Sequence, residues 1–294
     1  MYVVVGANGY LGSYLIKNIL ERTNQSILAV ARHIDLSDNK RIQWVSCDIT
    51  KSEEVEALNE KYISQNKDNK VIYLAAYHHP DLVARNPRIA WDTNVTSLSR
   101  FLNIIENVSC FYYPSSDSVY GESENSYRFK EGDALCPVNL YGKQKCVAET
   151  LVTAYGYNVV RFPFLISPSL IPGKKHFYDI IVDTIKKGKE MEMFCDSYRS
   201  AISFDTAAQL TIEMMETYSP EYPKTLNICG DTPLSKYDIG LMLADKIGVS
   251  RQLIVPISVQ SSSGIFEAKR ASSTIMDNTL LKQTLGLNEV NLIL

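Results

Sequence analysis

Two residues one helical turn apart carry the strongest chemical signal in this 294-residue chain: Tyr141 and Lys145, in Tyr141-Gly-Lys-Gln-Lys145. Spacing i, i+4 sets a phenol and an ammonium on one face of a helix, whereas Lys143 falls on another face. A phenol ordinarily titrates near roughly 10. A neighbouring ammonium favours phenolate, so the expectation is a lowered phenol pKa and a tyrosine working as general acid or base at a carbonyl or carbinol. Tyr-x-x-x-Lys also arises by chance, so the pair needs company. Tyr113-Pro-Ser-Ser-Asp-Ser-Val-Tyr-Gly121 supplies it, directly after an apolar run at Cys110–Tyr113. Ser116 is the hydroxyl expected to hydrogen-bond a substrate oxygen beside Tyr141, with Asp117 and Ser118 next to it. For Ser115 or Ser118 taken singly, a turn with caps explains the serine better.

A second constellation opens the chain. Val3-Val-Val-Gly-Ala-Asn-Gly-Tyr-Leu-Gly12 puts glycines at 6, 9 and 12 between a strand pattern and a helix pattern. Gly6 suits a tight turn, Gly9 removes a side chain where a pyrophosphate must approach, and Gly12 lets helix and strand pack closely. The helix start then offers free N–H groups to phosphates. A plain strand–helix turn is the competing reading, and the position between strand and helix favours the nucleotide one. After the second strand pattern, Arg32 is set to meet a ribose 2′-phosphate and Asp35 comes late for a 2′-hydroxyl, so NADP is expected over NAD. A surface arginine is the alternative. Asp48-Ile49 suits an adenine edge, and a capping role for Asp48 competes with it.

These residues need a scaffold that brings strand ends and helix starts together. Apolar runs at Tyr2–Val5, Ile27–Ala31, Ile42–Val45, Val71–Ala76, Cys110–Tyr113 and Val159–Phe162 alternate with helical patterns. The helices are expected from Leu11 to Leu20, Ser52 to Tyr62 with Ser52 as cap, Pro87 to Asn107 and Val138 to Tyr155. Strands without polar alternation, separated by helices, predict an α/β fold with a doubly wound parallel sheet of Rossmann type. The breaker-rich Ser167–Gly173 marks an expected boundary between a dinucleotide-binding domain over 1–166 and a smaller α/β substrate lobe over 167–294, some of whose segments return to the sheet. In that second half, helices are expected at Phe177–Lys187, Asp205–Thr217 and Lys236–Ile247, with strands near Ala201–Phe204 and Leu226–Ile228. Ser261–Gly264 is too short to assign as a linker.

Bulk composition narrows the classes. With 45% hydrophobic residues the chain can bury a core, and its net charge of −3 carries no nucleic-acid or membrane footprint. Four scattered histidines and six cysteines without a Cys-x-x-Cys motif predict no metal site and buried free thiols. No signal peptide or membrane helix is expected at the start, which makes the cytoplasm the default location.

Taken together, the motifs resemble the extended short-chain dehydrogenase/reductases, a group of sugar-nucleotide epimerases, dehydratases and reductases. The matching residues are Gly6-x-x-Gly9-x-x-Gly12, Asp48-Ile49, Leu74-Ala-Ala76, Asn94-Val95, Ser115-Ser116 to Val119-Tyr-Gly121, Tyr141-x-x-x-Lys145 and Arg161-Phe-Pro163. The resemblance implies that Ser116, Tyr141 and Lys145 are catalytic. It implies cofactor contacts from Gly6, Asn8, Gly9, Tyr10, Leu11, Gly12, Arg32, Asp48, Ile49, Leu74, Ala75, Ala76, Asn94 and Phe162, with Lys145 also holding the nicotinamide ribose. Substrate contacts fall to Asp117 and Ser118, to His78, and to Arg199 and Arg270, which lie near positions used for the substrate's phosphates. His78 and His79 also fit a strand-end turn. Phe177 and Tyr178 either flank a base or pack in the core.

Where the 4,6-dehydratases carry Thr-Asp-Glu, this chain has Ser116-Asp117-Ser118, and the missing glutamate counts against dehydration. Length, Tyr141-Gly-Lys and Arg32 favour a 4-keto sugar reductase similar to the dTDP-4-dehydrorhamnose reductases. Ser116 and Ser118-Val-Tyr120 look more like an epimerase, and a non-catalytic NAD(P) sensor is the alternative of another class. The helices near 87–107 and 138–155 resemble the pair that family dimers bury, so a homodimer is expected.

Overall fold

The apolar runs become strands covered on both faces. In chain order the first half comprises β1 (Tyr2–Val5), α1 (Tyr10–Arg22), β2 (Ile27–Ala31), β3 (Ile42–Ser46), α2 (Ser52–Leu58) and β4 (Asn69–Tyr73). Three helical pieces follow, α3 (Pro80–Arg85), α4 (Pro87–Trp91) and α5 (Ser97–Ile104), and then β5 (Val108–Ser116), α6 (Leu140–Ala154) and β6 (Asn158–Phe162). The second half adds α7 (Phe177–Lys186), β7 (Met191–Phe194), β8 (Tyr198–Arg199), α8 (Phe204–Glu216), β9 (Thr225–Asn227) and β10 (Leu234–Ser235). It closes with α9 (Lys236–Ile247), β11 (Ile254–Ile257), β12 (Ser273–Thr274) and α10 (Thr279–Leu285). The computed structural model describes residues 1–34, 39–259 and 266–294. Asp35 and Ser261–Gly264 lie outside the described residues.

Seven strands form one sheet in the order β3-β2-β1-β4-β5-β6-β9, with every pairing parallel. This is the Rossmann-type doubly wound α/β fold read from the sequence. Side chains alternate across each strand. Val4 and Ile72 therefore pack with Leu15 and Ile19 of α1 and with Ala207 and Met214 of α8. Val3 and Val5 pack on the opposite side, with Val55 of α2, Leu98 and Phe101 of α5 and Ala148 of α6. Order reversal between β1 and β4 opens a crevice at the strands' carboxyl ends, the place where such sheets bind ligands. A further layer stands beyond it. The three strands β10-β8-β12 and the pair β7-β11 pack around Ile166, Ile181, Leu243 and Ile254.

Several expected elements differ. Lys51, not Ser52, is the N-cap of α2, and Ser52 is its first helical residue; the α-helix stops at Leu58 and continues as one wider turn over Asn59–Ile63. The helix expected at Pro87–Asn107 starts at Pro80, breaks before Pro87 and ends at Ile104, because a residue preceding proline is driven out of helical geometry; Asn86 has φ −125° and ψ 58°. β4 ends at Tyr73, so Leu74–Ala76 leave the strand as loop, whereas β5 runs on through Pro114 and Ser115 to Ser116. Instead of a strand over Ala201–Phe204, β8 lies at Tyr198–Arg199, and Ser203 caps α8 by accepting from the Thr206 amide. All six thiols are free, but only Cys47, Cys110 and Cys229 are buried; Cys136 is exposed. Among the described residues no helix is long and apolar enough to cross a membrane, and none of the His, Cys, Asp and Glu side chains cluster as metal ligands.

Candidate active site

The crevice is a cavity of about 810 Å³. One wall is the glycine loop, with Gly6, Gly9, Tyr10, Leu11 and Gly12; Leu74, Ala76 and His78 line it from the end of β4, and Phe162 from the end of β6. Gly6 adopts φ +88°, and a Cβ there would come within 2.9 Å of the Ala75 amide nitrogen. At Gly12 a Cβ would lie 2.5 Å from the Ala7 carbonyl oxygen, so only glycine lets α1 sit this close to β1. Gly9 is different: its φ is −85° and a Cβ would lie 3.3 Å from Gly6 O. Gly9 caps α1 without any side-chain hydrogen bond. The first-turn amides therefore have no intrahelical acceptor and border the cavity, which fits a pyrophosphate.

The other expected cofactor residues divide. Arg32 is exposed at the carboxyl end of β2, beside the loop, since Gly6 N and Ala7 N both donate to Val30 O. Asn8 donates to the His33 carbonyl (3.2 Å), tying the loop to the chain after β2. Asp48 accepts from Thr50 N (3.0 Å) and Thr50 Oγ1 (2.8 Å), the local turn that competed with an adenine contact. Ile49 is buried in the core, so its side chain is not presented to a ligand. Asn94 is buried: it accepts from Tyr77 N, donates to Tyr77 O and donates to Gln144 Oε1 at 2.7 Å. It braces the loop after β4 against α6 and has no free polar atom for a cofactor.

Ser116, Tyr141 and Lys145 all line the cavity. Ser116 ends β5, and Asn139 caps α6 by accepting from Gly142 N at 2.9 Å, which fixes where Tyr141 begins its turn. Lys145 is 4% exposed and donates to Tyr113 Oη (2.9 Å) and the Pro114 carbonyl (2.8 Å). Its ammonium lies 5.9 Å from the Tyr141 ring centre. Burial pushes Lys145 down to about 7, partly offset by Glu149. The expected lowering of the Tyr141 pKa is overturned. Burial first, and then the Asp117 charge, raise it above the usual phenol value, and the hydrogen bond with Ser116 only partly opposes them. The physical reason is that the desolvated ammonium is turned onto Tyr113 and Pro114. Tyr141 is therefore held as neutral phenol, a proton donor.

Asp117 ties this centre to the outer layer. Its Oδ1 accepts from Ser116 Oγ (2.9 Å), and its Oδ2 accepts from Thr274 Oγ1 (2.6 Å) and lies 3.2 Å from Arg199 Nε. Ser118 donates its amide to Ser116 Oγ at 3.1 Å. Arg199 also donates to the Tyr198, Ala271 and Ser272 carbonyls, and Arg270 pairs with Asp81 at 3.0 Å; both arginines line the cavity. His78 opens into the cavity, with burial and the nearby Lys145 charge lowering its pKa. Phe177 lines the cavity, whereas Tyr178 packs in the outer core. Sequence reading missed Tyr113 and Gln144, whose roles depend on neighbours distant in sequence. It also missed His176 and Lys236 on the outer wall, which follow no motif.

Comparison with known proteins agrees with this picture. A family model described as the RmlD substrate binding domain matches residues 1–291. A Staphylococcus haemolyticus protein named as an uncharacterized epimerase/dehydratase is 26% identical over 235 residues, covering 74% of this chain and 71% of its own. The probable low-salt glycan biosynthesis reductase Agl14 of Haloferax volcanii is 25% identical over 259 residues, covering 85% of this chain and 81% of its own. The crystal structure of dTDP-4-dehydrorhamnose reductase from Bacillus anthracis in complex with NADP superposes with a TM-score of 0.79 at 17% identity, covering 99% of this chain and 94% of that one. That last likeness speaks to the fold.

Proposed function

The chain belongs to the RmlD substrate binding domain family, and we propose that it is an NAD(P)-dependent reductase of a nucleotide-activated 4-keto sugar. The observation that carries the reading is the convergence of Ser116, Tyr141 and Lys145 on one cavity whose far wall is the glycine loop. The names of the relatives support the substrate class: a glycan biosynthesis reductase in one case, a dTDP-sugar reductase crystallised with NADP in another.

The reduced cofactor, NADPH, would supply the hydride when bound and leave as NADP+. Gly9 and the open first turn of α1 would hold its pyrophosphate and Arg32 its 2′-phosphate, with Leu74, Ala76 and Phe162 lining the same cavity. NAD is the weaker alternative, because the carboxyl end of β2 presents a guanidinium. Ser116 orients the substrate carbonyl by hydrogen bonding its oxygen. Tyr141 then delivers its proton to that oxygen as negative charge develops there. Lys145, which donates to Tyr113 Oη and the Pro114 carbonyl, has one ammonium proton left that would reach a ribose hydroxyl of the cofactor.

Reduction uses Tyr141 as a proton donor, the state in which the cofactor-free site holds it. Epimerisation remains the second reading, on Ser116 and the name of the Staphylococcus relative. Dehydration is disfavoured, since Ser118 stands where a second acid is needed. The reading includes a homodimer in the cytoplasm, with α4, α5 and α6 at the contact; Ile89, Trp91 and Val147 of these helices are exposed.

The test is turnover of NADPH and NADH against a panel of nucleotide-activated 4-keto sugars. Oxidation of NADPH in step with loss of one keto sugar supports the reading. Cofactor binding without turnover of any member contradicts it and favours a sensor.

A further inference from the structure

Lys236 is the first residue of α9, and its partly buried side chain lines the outer end of the cavity. Its Nζ lies 5.1 Å from the ring centre of Phe177, 5.7 Å from that of Phe164 and 5.9 Å from that of Phe194. Among the described residues it has neither a carboxylate nor a hydrogen-bond partner. Residues 260–265, Gln-Ser-Ser-Ser-Gly-Ile, contain no acid that could supply one. The three other lysine and arginine side chains that line this half of the cavity are already matched, Lys175 by Asp183, Arg199 by Asp117 and Arg270 by Asp81.

An aromatic cage returns only part of what an ammonium loses on leaving water. A cation held in this way, at the positive end of a helix and facing a cavity, is matched to an anion that arrives from outside. We propose that Lys236 anchors a phosphoryl group of the substrate, as the unmatched cation of the outer wall. This deepens the nucleotide-sugar reading and rests on it. A phosphoryl group suits the site because the wall offers one uncompensated point charge beside two arginines that are already paired with carboxylates, Arg199 also donating to three carbonyls and Arg270 to one, and an ammonium binds phosphoryl oxygens as a point charge. The three phenylalanines keep water from the pair, which strengthens it.

The experiment is calorimetric titration of UDP, dTDP, uridine, thymidine, inorganic pyrophosphate and glucuronate into the wild type and into Lys236→Met, with NADPH as a check on the fold. Lys236→Met is expected to weaken UDP and dTDP at least tenfold, to leave the nucleosides and NADPH unchanged, and to melt no lower than the wild type, because an unmatched charge has been removed. Should Lys236→Met fail to bind NADPH, Lys236→Gln replaces it in the same comparison. Equal binding of the diphosphates by wild type and variant overturns the assignment and leaves the substrate class intact. Preference of the wild type for glucuronate over pyrophosphate overturns the phosphoryl assignment. A wild type that binds NADPH but neither diphosphate overturns the nucleotide-sugar reading itself, and this inference falls with it.

Discussion

The ammonium of Lys145 sits 2.9 Å from the hydroxyl of Tyr113, a neighbour in space from β5, while the ring centre of Tyr141, its helical neighbour, lies 5.9 Å away. Burial brings Lys145 from 10.5 to about 7. Between those values the unfolded chain binds more protons than the native state, so stability rises with pH across that interval, and the penalty is full below about 7. The cofactor-free protein should therefore melt at higher temperature as pH goes from about 7 to about 9. Lys145→Met should melt higher than wild type at neutral pH and lose this rise. Thermal melts across that window check it, and identical pH profiles for the two proteins would count against a buried, charge-penalised lysine.

Glycines 9 and 12 should separate by function. Gly12→Ala drives a Cβ to 2.5 Å from the Ala7 carbonyl oxygen, a backbone atom with little freedom to retreat. It should cost about 1–3 kcal/mol of stability in chemical denaturation. Gly9→Ala meets only Gly6 O at 3.3 Å with an ordinary φ. It should cost less than about 1 kcal/mol while weakening NADPH roughly tenfold or more, since the methyl occupies the pyrophosphate's approach. Equal effects of the two on stability would contradict the division.

Behind the site, Arg161 and Glu149 form a buried ion pair at 2.7 Å, with side chains 5% and 6% exposed. Arg161 also donates to Tyr120 Oη (2.7 Å) and to Glu131 O (3.1 Å), joining β6, α6 and the segment after β5. Removing one partner leaves a charge buried and unmatched. Arg161→Met should cost about 3–5 kcal/mol by chemical denaturation, and the double variant Arg161→Met/Glu149→Met should recover part of that loss.

Much of this was legible in the sequence, for physical reasons that differ along the chain. β1, β2 and α9 begin and end where periodicity predicts, because apolar runs and caps are local signals. Ser116, Tyr141 and the glycines could be found because their chemistry depends on spacing along one loop or one helix. Asn94, Ile49 and Lys145 show where that logic stops: each is defined by a contact distant in sequence, with Gln144, the core under β2 and β3, and Tyr113 respectively. The direction of the Tyr141 shift was misjudged for the same reason, since spacing reports the nearby ammonium but not the desolvation that outweighs it. Strands β8, β10 and β12 have two residues each, too few to show a pattern, and these three, like β7 and β11, pair across the chain rather than with sequence neighbours.

Arg32 gives a prediction about cofactor choice. It is exposed at the carboxyl end of β2, and a charge-assisted pair there is worth about 1.5–3 kcal/mol. Arg32→Ala should weaken NADPH by roughly ten- to a hundredfold and leave NADH nearly unchanged, narrowing the preference. Fluorescence titration of both cofactors measures it. An unchanged ratio would make Arg32 an ordinary surface residue.

The central claim is that the Tyr141 hydroxyl is the proton donor to the substrate oxygen. Stopped-flow measurement of NADPH oxidation on mixing with a nucleotide-activated 4-keto sugar, for wild type and Tyr141→Phe, tests it most directly. The predicted result is a single-turnover rate lower by about 10²–10⁴-fold in the variant, with NADPH affinity intact. A Tyr141→Phe protein that binds NADPH normally and oxidises it at close to the wild-type rate would contradict the account.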